Sequence, residues 1–246
     1  MPLQEEFEQQ GNFLFKHRSY IPILILLASF IIYTNSIRDG KDPFGTGIVY
    51  LSLGVSIIGL LIRIYTVGHS PANTSGRNTA AGQVADTLNQ QGIYSIVRHP
   101  LYLGNFLMYL GFALLPMSIF FVIIFCLLFW IYYERIMFAE EQFLRGKFNT
   151  MYLNWALKTP AFIPNFSLFN STEIHFSWKK ILKKEKNGLA ALFFIFWIFY
   201  ILRNYLMGKV ILDYSFWTLA MVICILLYFI LKFIKQNTNW LDEAER

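Results

Sequence analysis

The sequence predicts an all-α polytopic membrane protein with about six membrane helices, and composition and patterning both support this. Of the 246 residues, 56% are hydrophobic and only 15% are charged, against roughly 25% in an average soluble domain. The mean hydropathy is +0.45. The apolar residues fall into runs that approach the roughly 20 residues a helix needs to cross a bilayer. Such a composition excludes a disordered chain, which needs low hydrophobicity and high charge.

Six apolar runs define the predicted spans. A short polar turn follows the first, and the longest polar stretch, 68–100, separates the second from the third. Its glycine, proline, asparagine and serine residues predict a loop. Only residues 116–118 separate the third span from the fourth, which predicts a tight helical hairpin. The spans are predicted at residues 20–36, 45–65, 101–115, 119–137, 189–207 and 214–234.

Charge predicts the partners and the orientation. The net charge is +6, and the basic residues flank apolar runs, so we expect anionic lipid headgroups rather than nucleic acid as partners. A cytoplasmic N-terminus places most Lys and Arg of the short loops inside. Segments 66–100 and 134–187 then both face the cytoplasm. Cys126 and Cys224 lie in apolar runs, and no metal site is predicted.

The start of the third span carries unusual polar residues. Arg98 and His99 directly precede Pro100, a residue well tolerated at the first helical position. The positive end of the helix beside Arg98 predicts an anion site. Tyr102 and Gly104 follow, and Gly104 leaves room for a ligand or another backbone. The alternative is that Arg98 and His99 extend to lipid headgroups.

A group of carboxylates follows the fourth span and contains Glu134, Glu140 and Glu141. A carboxylate at a membrane boundary is costly unless it is paired, and helical spacing puts Glu134 and Glu141 on one face. The alternative is that these carboxylates are solvated helix-end charges. An aromatic stripe continues the helix with Phe148, Tyr152 and Trp155.

The polar residues at the start of the third span and the run that begins with Glu140 together resemble the pattern of a known family. Residues 98–104 resemble the Arg-His-Pro-x-Tyr-x-Gly signature of the integral-membrane isoprenylcysteine carboxyl methyltransferases and phospholipid methyltransferases. The later run resembles the same group's pattern in Glu140-Glu141-x-x-Leu144, Phe148, Tyr152, Trp155, Thr159-Pro160 and Ile163-Pro164. The resemblance covers roughly residues 90–164.

This resemblance implies S-adenosylmethionine as the methyl donor. It implies that Arg98 and the helix start take the donor carboxylate, and that Glu140 or Glu141 takes the ribose hydroxyls or the ammonium. An aromatic ring would face the sulfonium through cation–π attraction. The residues assigned to the donor are Arg98, His99, Tyr102, Gly104, Tyr133, Glu140, Glu141 and Trp155. Arg77, Arg98 and Lys158 are the candidates for orienting the acceptor oxygen.

Three positions depart from the family pattern. Lys158 stands where many carboxyl methyltransferases carry arginine, Trp155 replaces a tyrosine, and Asn149 replaces a glycine. Loop 73–79 and the N-terminal segment 7–13 resemble bacterial members thought to methylate a lipid A phosphate, which implies a bacterial inner membrane.

The acceptor stays open at this point. A lipid phosphate, an isoprenylcysteine carboxylate and an amine headgroup are all compatible with the sequence. An NADPH-dependent reductase of the sterol-reductase type carries a related motif, but with asparagine where this chain has Leu101. A transporter or scaffold is a further alternative.

We therefore expect one membrane domain over residues 1–246. It contains a methyltransferase core at 90–164, an interfacial basic linker at 165–187 and two additional membrane helices within 188–235.

Overall fold

The computed structural model describes residues 2–18, 20–71, 74, 77–79 and 82–243. The helices are α1 (Leu3–Lys16), α2 (Ile21–Arg38), α3 (Ile48–Gly68), α4 (Ile93–Ile96), α5 (Pro100–Leu114), α6 (Ile119–Ala156), α7 (Trp178–Leu206) and α8 (Phe216–Asn237). A 3₁₀ helix spans Phe166–Leu168, and strands β1 (Arg77–Thr79) and β2 (Gly82–Val84) form an antiparallel pair.

The predicted all-α membrane architecture is confirmed. Helices α3, α6, α7 and α8 are long and apolar enough to cross a membrane, and α2 and α5 are shorter apolar helices. These six agree with the predicted number of about six. Pro100 and Ser118 explain two of the boundaries, because Pro100 begins α5 and the Ser118 side chain caps α6 by accepting a hydrogen bond from the Phe121 N–H.

Three elements differ from the sequence prediction. The loop predicted at 68–100 contains the β1–β2 hairpin and the short helix α4. Helix α1 packs along α6, where Gly11 lies against the Arg135 carbonyl and the Ala139 side chain. Helix α7 begins well before the predicted fifth span, because Ser177 caps it, so the basic run forms its first turns.

Helices α3 and α5 pack closely through small residues. This is typical of membrane helices, because burial of apolar surface does not drive helix association inside a lipid bilayer. A Cβ on Gly59 would lie 2.5 Å from the Gly104 carbonyl oxygen, and a Cβ on Gly111 would overlap Ser56 Oγ. Ser56 Oγ in turn donates a hydrogen bond to the Met108 carbonyl at 2.9 Å.

Two aromatic-rich clusters form the core. One joins α2, α3, α5, α7 and the start of α8 around Tyr33, Phe196 and Phe199. The other joins α1, α5 and α6 around Phe125 and Ile136. Tyr109 on α5 packs against both clusters, and α2 also contributes residues to both.

The glycine contacts of α5 predict a position-specific cost. Gly111→Ala should destabilise the protein by about 1–3 kcal/mol, because the added methyl overlaps Ser56 and the close packing leaves no space for it. Gly54→Ala on α3 is the matched control, since a Cβ at Gly54 would meet no atom of the described chain within 4 Å. Thermal unfolding in detergent measures both, and equal melting temperatures for the two variants would contradict the packing argument.

Candidate functional site

A cavity of about 460 Å³ lies among α1, α3, α5, α6, α7 and the segment from Gln83 to His99. Ligand sites typically measure about 300–1,000 Å³, so this cavity is large enough for a cofactor. Its wall is polar along much of its length, which is unusual next to apolar membrane helices.

Backbone hydrogen bonds hold the segment before α5 against the loop that follows α6. The Arg98 N–H donates to the Pro160 carbonyl at 2.9 Å and the His99 N–H donates to the Ala161 carbonyl at 3.2 Å. The Trp155 indole N–H donates to the Tyr94 carbonyl at 3.0 Å. These bonds bring the two sequence motifs together.

The paired glutamates of α6 are the centre of the first polar cluster. One Glu141 oxygen lies 2.9 Å from His99 Nε2, and the other accepts a hydrogen bond from Arg98 Nη1 at 3.0 Å. Glu140 accepts a hydrogen bond from the Tyr102 hydroxyl at 2.9 Å and lies 3.6 Å from His99 Nδ1. A largely buried carboxylate is tolerated only with such partners.

A second polar cluster lies along the same cavity. Arg63 of α3 makes a bidentate ion pair with Glu185 of α7, with N–O distances of 2.9 and 2.8 Å. Arg63 Nη1 also donates to Asn105 Oδ1 at 2.6 Å, and Asn105 Nδ2 donates to the Tyr133 hydroxyl at 3.4 Å. The network therefore reaches from α7 through α3 and α5 to α6.

Three polar side-chain atoms at the cavity are buried without a hydrogen-bond partner in the described part of the chain. They are Gln83 Oε1, Asn89 Nδ2 and Arg98 Nε. Buried polar atoms are nearly always satisfied by protein or by ordered water, so these unpaired atoms leave hydrogen-bonding capacity at the cavity wall.

The model of the phospholipid methyltransferase family matches residues 48–151, which include the cavity-lining residues of α3 and α5 and those of α6 as far as Leu144. The cobalt-zinc-cadmium resistance protein CzcN of Cupriavidus metallidurans is 31% identical over 161 residues, which are 64% of this chain and 68% of CzcN. The chain belongs to the phospholipid methyltransferase family.

Two further relatives match over shorter segments. The nickel-cobalt-cadmium resistance protein NccN of Alcaligenes xylosoxydans xylosoxydans is 35% identical, over 37% of this chain and 42% of NccN. The protein-S-isoprenylcysteine O-methyltransferase of Schizosaccharomyces pombe is 34% identical, over 30% of this chain and 31% of the enzyme. No solved structure matches the chain significantly.

Both sequence motifs contribute residues to the cavity wall. The residues predicted to contact the donor that line it are Arg98, His99, Tyr102, Tyr133, Glu140, Glu141 and Trp155. Gly104 does not line the cavity, because it packs against Gly59 and the Arg63 side chain instead.

The remaining predicted residues lie elsewhere. Lys158 is exposed in a shallow groove that it shares with Arg98 on the outer side of the cavity. Arg77 begins β1, and its side chain lies outside the described part of the structure. Glu134 does not line the cavity and pairs with its neighbour Arg135.

Most of the backbone amides at the start of α5, where the sequence predicts an anion site, already have hydrogen-bond partners in the structure. The amides of Arg98 and His99 already donate to the 160–161 loop, and the amides of Tyr102 and Leu103 donate to the His99 carbonyl. Little of the helix start is therefore free for a carboxylate.

Sequence reasoning missed Arg63, Glu185, Asn105 and Tyr94 as cavity-lining residues. One signal was present: Arg63 is an ionisable residue inside an apolar span, and such residues are usually functional. Glu185, an acidic residue inside a run of lysines, was a weaker one.

The glycine-to-asparagine departure at position 149 has a structural explanation. Asn149 has φ 46° and ψ −121°, a break inside α6. Glycine adopts a positive φ freely and asparagine tolerates it better than most residues. The break precedes the turn that carries Tyr152 and Trp155 to the cavity.

Protonation of His99 should couple to stability. Burial lowers the pKa of His99. The hydrogen bonds that His99 makes with Glu140 and Glu141, together with their negative charges, raise this pKa by more, so that it lies above its ordinary value of 6.5. A raised pKa means that the protonated ring stabilises the fold. This contribution is complete below pH 6.5, the ordinary value, and is lost as the pH rises through the raised pKa.

We therefore expect the melting temperature to fall as the pH is raised from roughly 6 to 9, and to fall less in His99→Gln. Thermal unfolding of the two proteins in detergent across this range measures the difference. Parallel curves would show that His99 does not titrate as a partner of the glutamates.

Proposed function

We propose that the chain is an S-adenosylmethionine-dependent methyltransferase that methylates an oxygen of a membrane-embedded acceptor. The acceptor is a lipid phosphate, as in lipid A, or an isoprenylcysteine carboxylate. The observation that carries this proposal is the cluster of Glu140 and Glu141 with His99 and Arg98, in the wall of a cofactor-sized cavity. Membership of a methyltransferase family supports it.

The residues present fit this donor. Glu140 and Glu141 keep lone pairs beyond those used by their partners, which suits ribose hydroxyls. Aromatic rings at the wall suit the adenine and a sulfonium, where cation–π attraction is worth about 0.5–2 kcal/mol. They belong to Tyr102, Tyr133 and Trp155. When bound, the donor supplies an electrophilic methyl group.

The acceptor side requires a cation rather than a base. A phosphate or carboxylate oxygen is already charged, so alignment of the acceptor dominates, worth about 7–11 kcal/mol in favourable cases. Arg98 borders both the cavity and the groove of Lys158. An acceptor oxyanion held by these two cations would therefore lie beside the donor cavity.

The groove also suits the lipid part of such an acceptor. Leu157, Ile163 and Phe166 border it, and each side chain is at least 75% exposed. Exposed apolar side chains next to a cation match an anionic group on an acyl or prenyl chain. The basic first turns of α7 would face anionic headgroups of the same leaflet, with the N-terminus cytoplasmic.

Methyl-tritiated S-adenosylmethionine tests the proposal directly. Membranes containing the protein and its native lipids should incorporate label into the lipid fraction if the acceptor is a lipid phosphate, or into prenylated protein if it is a carboxylate. Glu141→Gln should abolish the transfer, because it removes the charge shared by Arg98 and His99.

Glu134→Gln is the matched control on the same helix, since Glu134 does not line the cavity. It should transfer label at the wild-type rate. If neither fraction contains label and the protein binds NADPH, the reductase alternative replaces the proposed function. If the label is found only on amine headgroups, the methyltransferase activity stands and only the identity of the acceptor changes.

Substitutions of Lys158 distinguish acceptor binding from donor binding. Lys158→Ala should lower the transfer rate by about tenfold or more, since a hydrogen bond to a charged group is worth about 1.5–3 kcal/mol, and should leave donor affinity unchanged. Lys158→Arg should retain activity because it keeps the charge and can bind bidentately. Wild-type kinetics in Lys158→Ala would remove this residue from the acceptor site.

A further inference from the structure

The Arg63–Glu185 ion pair has no role in the function proposed so far. Its two residues lie 122 positions apart, and neither belongs to the two sequence motifs. Glu185 lies on α7, beyond the residues matched by the family model. Both side chains nevertheless line the same cavity as Glu140 and Glu141.

Arg63 and Glu185 retain hydrogen-bonding capacity beyond the bonds that they make with their protein partners. A guanidinium carries five N–H donors, and Arg63 uses three of them, two on Glu185 and one on Asn105. Each Glu185 oxygen accepts one of these bonds and keeps lone pairs. The Arg63 side chain is 23% exposed and that of Glu185 is 5% exposed, so the spare donors belong to a partly accessible group.

Helix packing alone explains this pair poorly. Desolvating two charges costs as much as their attraction returns, and apolar residues of similar volume often stabilise a protein at least as well. A cation with spare donors beside a carboxylate with spare lone pairs complements a ligand that carries both an anion and a cation. An α-amino acid, with its carboxylate and ammonium on one carbon, has this chemistry.

The first polar cluster offers little room for such a group. The amides of Arg98 and His99 donate to the 160–161 loop, and Arg98 Nη1 is engaged by Glu141 and by the Tyr152 hydroxyl. Arg98 Nε is unpaired, but the proposed function already uses Arg98 to hold the acceptor oxyanion. The second cluster is connected to the first through Asn105 and Tyr133, whose ring centroid lies 5.0 Å from that of Tyr102.

We propose that Arg63 and Glu185 form the subsite for the amino-acid end of the methyl donor, with Arg63 binding the carboxylate and Glu185 the ammonium. This inference rests on the proposed function. It makes α7, one of the two C-terminal helices outside the predicted core, a part of the donor site.

Two non-reactive ligands that differ only at this end test the subsite. S-adenosylhomocysteine carries the α-amino-acid group, and 5′-methylthioadenosine has the same adenosine and thioether without it. Calorimetry on the purified full chain in detergent should show tighter binding of S-adenosylhomocysteine. Glu185→Gln and Arg63→Gln should each weaken that ligand about tenfold or more and change 5′-methylthioadenosine less than about twofold.

The chain offers a matched control on the same helix. Arg203 pairs with Asp42 toward the other end of α7 and does not line the cavity, so Arg203→Gln should leave the ratio of the two affinities at its wild-type value. If a single variant at the subsite fails to fold, the double variant Arg63→Gln/Glu185→Gln removes both charges together and should give the same loss of discrimination.

The possible outcomes separate the two proposals. Equal weakening of both ligands, or of neither, would overturn the subsite and show that the pair only joins α3 to α7. Wild-type protein that binds both ligands equally would also overturn the subsite while keeping the donor cavity. Wild-type protein that binds neither would overturn the proposed function, and the subsite with it.

Discussion

Two adjacent carboxylates, Glu140 and Glu141, impose the constraint on which this structure depends. They lie on a helix that begins as a membrane span, and they line the cavity with most of their surface buried. Burying a charge is expensive unless it is paired and hydrogen-bonded. The partners come from the beginning of α5, so α5 must start where α6 presents its glutamates, and the 160–161 loop must hold the residues before α5 in place.

Close helix packing makes the second half of the site possible. The glycines of α3 and α5 allow their backbones to approach, and Gly104 lies directly against the Arg63 side chain. That contact accompanies the hydrogen bond from Arg63 to Asn105 one residue further along α5. Gly104, which the motif predicts as a ligand contact, therefore makes room for the side chain of Arg63, and Arg63 lines the cavity.

The arrangement of charge suits transfer between a polar donor and a lipid acceptor. Paired charges line the cavity, whereas Lys158 and exposed apolar side chains lie in the groove beside it. Arg98 borders both. The proposed function requires a water-soluble cofactor and a bilayer-bound substrate to meet at one point, and Arg98, between two differently lined spaces, is the cation that we propose for that point.

The amino-acid sequence alone predicts the membrane class, the approximate spans, the hairpin of α5 and α6, and the motif residues that line the cavity. These features depend on local signals: apolar runs, a proline at a helix start, and residue types at short spacing. The arrangement of the helices in space was needed to show that Arg63 pairs with Glu185, that Gly104 contributes to helix packing and that Lys158 lies outside the cavity. It also showed that the amides before α5 already donate to the 160–161 loop. Each of these depends on which helix faces are in contact, and residues far apart in the chain decide that jointly through packing and the pairing of buried charge.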